Sequence, residues 1–132
     1  MTVPGFVVVE STAPFLPTVE RLELALIEHA IEPMARIDHG GLAERVGLPL
    51  GPMLLLLFGD PRAGTPLMQM APGIGIDLPL KLLVWEKEGK VRIGYNDPAW
   101  LARRHGLESA LPVLAAMHRL LHALAAAAAG GA

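Results

Sequence analysis

Hydrophobic and polar positions change period several times along the chain, and each change marks an element. Residues 5–10 are rich in β-branched and aromatic types and predict a first strand. Residues 11–17, with two prolines and a Ser-Thr pair, read as a connection. From Thr18 onward Val19, Leu22, Leu26 and Ala30 recur at helical spacing, and the helix they predict ends before Pro33. Leu24, Ile27 and Ile31 form a second apolar row about 100° or more around that helix, so it is expected to be covered on two sides. Residues 34–37 predict a short strand and 42–46 a short helix closed by Gly47. Met53–Phe58 is apolar at every position, the pattern of a central strand covered on both faces. Residues 80–86 and 90–95, joined by Lys87-Glu88-Gly89, predict a β-hairpin. Asp97 and Pro98 supply the cap and first residue of a helix that Gly106 stops, and a last helix opens at Glu108 or Ser109.

This order of strand, helix, strands with short helical inserts and then helices predicts an α+β fold. The 132 residues fit a single domain over 1–128, followed by a frayed tail at 129–132. Composition adds one expectation about partners. Hydrophobic residues make up 52% of the chain and charged residues only 18%, against a norm of about 25%. A small domain with so few charges is expected to cover apolar surface with another subunit, and a homodimer is the simplest form. The net charge of −2 argues against a nucleic-acid binder, which needs a basic face. The apolar stretch 52–58 is far shorter than the roughly 20 residues of a membrane span, and His118, Arg119 and His122 interrupt the alanine-rich end. With no export signal and no cysteine, a cytoplasmic protein without membrane contact is expected.

Candidate chemistry concentrates in residues 58–81, where Gly59, Gly64, Gly73 and Gly75 alternate with Pro61, Pro66, Pro72 and Pro79. This reads as a long but constrained connection. Gly64-Thr65-Pro66 fits a helix start with Thr65 as N-cap, whose free N–H groups could hold an anion beside Arg62 and Lys81. Asp77 and Lys81 are expected to pair. No nucleophile elbow, phosphate-binding loop or dinucleotide fingerprint occurs, so no cofactor is assigned. His118 and His122 share a helical face but lack a third ligand, which predicts no metal site.

Four motifs in this order, Phe58-Gly59-Asp60-Pro61, Gly64-Thr65-Pro66-Leu67-Met68, Ile76-Asp77-Leu78-Pro79-Leu80-Lys81 and Tyr95-Asn96-Asp97-Pro98, closely resemble the family known as domain of unknown function 302. Thr18-Val19-Glu20-Arg21-Leu22 and Arg36-Ile37-Asp38-His39 also resemble its first helix and second strand. Asp60 departs from the family's usual Asn. The resemblance implies a fold similar to the TATA-binding-protein-like class, a curved antiparallel sheet of about five strands gripping long helices, and no established activity.

On that frame Arg36, His39, Asp60, Thr65, Asp77, Lys81, Tyr95 and Asn96 fall at strand ends or in joining loops, where sites commonly assemble. The leading expectation is a dimerising, non-enzymatic module that binds a small polar or anionic ligand in a cleft formed by residues 58–81 and 95–96. One alternative is an enzyme with His39 or Asp77 as general base and Arg36 or Lys81 stabilising negative charge. That alternative requires Asp77, Lys81 and His39 to converge. A further alternative is a protein-interaction module that docks its partner on the Leu24, Ile27 and Ile31 row.

Overall fold

The computed structural model describes residues 2–131. In chain order the elements are β1 (Phe6–Glu10), α1 (Phe15–Glu28), β2 (Ala35–Asp38), α2 (His39–Arg45), β3 (Met53–Phe58) and α3 (Pro61–Met70), then a 3-10 helix (Pro72–Ile76), β4 (Leu80–Lys87), β5 (Lys90–Asn96), α4 (Pro98–Arg104) and α5 (Pro112–Ala129). The strands form one open antiparallel sheet in the order β1-β5-β4-β3-β2. The α+β class and the five-stranded antiparallel sheet are as expected. The β4–β5 hairpin turns at Glu88 and Gly89, both with positive φ, as a tight two-residue connection demands.

Alternation along the strands decides where the core lies. Leu54, Leu56 and Phe58 of β3, Leu82 and Val84 of β4, and Val91, Ile93 and Tyr95 of β5 all point to one face. There they meet Leu22 and Leu26 of α1, Leu121 and Leu124 of α5, Leu67 of α3 and Ile74 in a single buried cluster. Thr18, a polar side chain buried within the core, is satisfied locally: its hydroxyl donates to the Pro14 carbonyl at 2.9 Å and lies 2.6 Å from Ser11 Oγ. Helix α5 is long and apolar enough to cross a membrane by length and composition. In this fold it is a core helix, with Leu114, Met117, Leu121, Leu124 and Ala125 buried.

Several boundaries differ from the pattern-based expectation, each for a local reason. Helix α1 starts at Phe15 rather than Thr18, because Pro17 falls in the first turn, where its missing N–H costs nothing. Helix α3 starts at Pro61 rather than Thr65. The Asp60-Pro61 pair carries the same cap-then-proline signature five residues earlier, and Asp60 Oδ1 accepts from the Arg62 N–H at 2.9 Å. Thr65 is therefore an exposed mid-helix residue and caps nothing. The connection 58–81 is largely helical instead of irregular. Helix α5 starts at Pro112 rather than at 108 or 109, since proline keeps the preceding Leu111 extended. Its end is held rather than frayed: the Thr12 N–H and hydroxyl both donate to the Ala129 carbonyl, and Gly130 closes the helix in the left-handed region. Ala132 lies outside the described residues.

The largest difference concerns β3. Helices cover one face of it, and its exposure alternates between buried and partly buried residues. Among the described residues, the second cover that its unbroken apolar sequence predicts is not formed.

Candidate functional site

Asp77, which follows the 3-10 helix, is the hub of the most connected polar cluster. Its carboxylate, 15% exposed, accepts from Arg104 Nη1 at 2.9 and 2.7 Å and pairs with His105 Nε2. The expected Asp77–Lys81 ion pair does not form. Lys81 Nζ donates instead to the backbone carbonyls of Asp77, at 3.0 Å, and Pro79, at 2.9 Å. Burial lowers the Lys81 pKa, and the nearby Asp77 charge opposes that shift. The cluster fastens the loop ahead of β4 to the end of α4. The sequence placed Arg104 and His105 at a helix end, but nothing in it linked them to a carboxylate 27 and 28 positions away.

The eight expected site residues do not share one cleft. Asp60 is spent on Arg62, which donates to it at 2.8 Å and holds its carboxyl below the usual carboxylate range. Arg36 faces the helical layer and pairs with Glu23 of α1 at 2.9 Å. His39 opens α2 just beyond Asp38, which is level with Leu54 and Val84, whereas Lys81 is level with Leu57. Three residues along the strand and two strands across put about 10 Å between those levels in each direction. Asp77, Lys81 and His39 thus do not converge, and the acid–base arrangement the enzyme alternative required is not formed. Tyr95 and Asn96 lie on opposite faces of β5. Tyr95, 2% exposed, points into the helical layer, with its ring 6.3 Å from that of His118. Of the eight, only Lys81 and Asn96 project from neighbouring strands onto the helix-free face, Lys81 with Leu83 and Asn96 with Gly94. His118 and His122 are exposed with rings 6.2 Å apart, and no group of three His, Asp or Glu gathers around an ion-sized space among the described residues.

Tyr95 offers a direct check on this orientation, because it is the only tyrosine in the chain. Burial, with Asp97 nearby, raises its pKa above 10.0. The neutral phenol is therefore favoured in the fold. Its contribution to stability is present below pH of about 10 and is lost as pH rises through the raised folded value. Absorbance titration of the native chain should show the phenolate appearing at higher pH than in denaturant, and coincident curves would contradict the buried placement.

The helix-free face carries the other unusual surface. Paired registers align Val8, Gly94, Leu83, Leu55 and Ile37 in one row that crosses all five strands without a polar side chain. Met53 and Trp85 flank it on one side, and Phe6, Leu57 and Ala35 on the other. The Phe6 and Trp85 rings stack at 6.1 Å over Gly94, where any Cβ would strike Phe6 Cζ at 2.3 Å. None of the larger side chains on this face packs against the buried core cluster. Glu10, Arg92, Lys81, Asn96 and, at the hairpin end, Lys87 and Lys90 carry the face's polar groups.

A helical layer backing an open five-stranded sheet, with polar loops tied down by ion pairs, defines a two-layer α+β module. The family model described as "Domain of unknown function DUF302" matches residues 7–124, and the chain belongs to that family. A crystal structure of an uncharacterized conserved protein DUF302 from Bacillus stearothermophilus has the same fold: the TM-score is 0.82 at 21% identity, with 96% of this chain and 99% of that one covered. Among curated proteins, the chain is 45% identical over 104 residues to "Fluoride-specific ion channel FluC 1" of Brucella suis biovar 1 (strain 1330), covering 78% of this chain and 41% of the relative. The same identity over the same length relates it to the protein of that name in Brucella abortus biovar 1 (strain 9-941), of which 38% is covered. The chain thus spans about two-fifths of the curated relatives it matches.

Proposed function

We propose that this chain is a non-catalytic accessory module of an ion-channel assembly, acting by binding a protein surface rather than by converting a substrate. The observation that carries this reading is the 45% identity to chains named fluoride-specific ion channels, in which the matched segment is only 41% of the length. The module and a larger remainder share one chain there, and physical linkage raises the effective concentration of two parts that act together. The geometry supports binding over catalysis, since Asp77 is held by Arg104 and His105 and Lys81 is occupied by carbonyls. A cytoplasmic setting, compatible with a chain that has no cysteine, belongs to the same proposal.

The test is a chimera. The matched segment of the Brucella suis relative is deleted, or replaced by this chain, and fluoride efflux is measured in cells. Deletion should impair efflux and the chimera should restore it. Equal efflux from the full-length, deleted and chimeric proteins would contradict the proposal.

A further inference from the structure

We propose that two copies of this chain pack face to face through the helix-free side of the sheet, with Val8, Gly94, Leu83, Leu55 and Ile37 at the centre of the interface. The inference rests on the binding-module reading and names its partner as a second copy of the same module.

Four observations carry it. The first is the mismatch in β3: an unbroken apolar strand belongs between two covers, and the chain supplies one. The second is area. Five strands about 4.8 Å apart and three rows of side chains about 7 Å apart make a face of roughly 500 Å². Two such faces bury roughly 1,000 Å², the lower bound for a specific interface. Third, the central row contains no charge, whereas Glu10, Arg92 and Lys81 lie in the rows beside it, the arrangement of an interface with an apolar core and a polar rim. Fourth, the surface is a broad sheet bearing Phe6, Trp85 and Leu side chains, and its natural complement is another such sheet at the spacing of about 10 Å at which sheets stack.

The competing surface is the outer row of α1, where Leu24 is 56% and Ile27 71% exposed. Glu20 and Glu23 interrupt that row, and Glu23 is held by Arg36. Its continuous apolar area is therefore smaller than that of the sheet face.

Sedimentation equilibrium of the full chain across the micromolar range tests the inference, with circular dichroism and urea melts confirming that each variant folds. The native chain should be a dimer. Leu83→Glu and Leu55→Glu should each raise the dimer dissociation constant by more than about tenfold, as a charge at an interface centre does. Ile27→Glu should leave it unchanged. Should either central charge prevent folding, Val8→Glu is the substitute, because Val8 is already 45% exposed in the single chain. A native chain that stays monomeric overturns the inference. So does a dimer that survives charge at Leu83, Leu55 or Val8 in a folded variant, or one that Ile27→Glu alone breaks. The chimera reads the accessory role separately, so a monomeric chain that restores efflux overturns the dimer and leaves that role standing.

Discussion

Phe58→Ala is expected to destabilise the protein by about 3–5 kcal/mol, the range for truncating a large buried aromatic side chain. Phe58 is fully buried at the end of β3, opposite Leu80 and on the helical side of the sheet. It is also the last apolar residue before the Gly59-Asp60 turn that starts α3. Truncation leaves a cavity at the junction of sheet and helical layer, and that loss is a large part of a typical domain stability of about 5–15 kcal/mol. The urea midpoint should fall accordingly. Leu57→Ala, next to it but on the open face, should cost far less in the monomer, and equal losses at both positions would contradict the two-faced description of β3.

The second large effect is expected at Gly5. Its φ of +71° lies in the left-handed region, and a Cβ there would fall 2.2 to 2.6 Å from three atoms of the Trp100 ring. Gly5→Ala therefore combines backbone strain of about 1–2 kcal/mol with overpacking of about 1–3 kcal/mol. Gly47 isolates the first contribution: its φ is +73° and a Cβ would meet nothing within 4 Å. Gly47→Ala should cost only the strain, and Gly5→Ala should exceed it by an amount measurable in parallel urea melts. The contact matters because it closes the Trp100 ring of α4 onto the residue that leads into edge strand β1.

Much of this architecture was legible in the chain because local chemistry decided it. Met53–Phe58 is bounded by its own composition, the Glu88-Gly89 turn by its need for positive φ, and α4 by its Asp97-Pro98 start. Two cap-then-proline signatures, Asp60-Pro61 and Thr65-Pro66, compete within five residues, and the sequence alone does not rank them. The site was less legible than the fold. Asp77 was recognisable as a candidate, but its partners Arg104 and His105 come from a helix whose approach is a tertiary event. Arg36 and Tyr95 read from the sequence as polar groups at strand ends. Period-two alternation sends both toward the helices, a distinction that depends on register. The double-sided reading of β3 holds for its helical face only: Leu54, Leu56 and Phe58 are buried, whereas Met53, Leu55 and Leu57 are only partly covered.

The central claim is that this partly covered face is buried between copies, and Trp85 reports on it. The chain has two tryptophans, Trp85 on the open face and Trp100 against Gly5, so Trp100→Phe leaves Trp85 as the only indole. Acrylamide quenching of that variant, followed through serial dilution, measures directly whether the face is covered. The account predicts weak quenching at high concentration and a severalfold increase as the protein is diluted. Quenching that is strong and independent of concentration would contradict it.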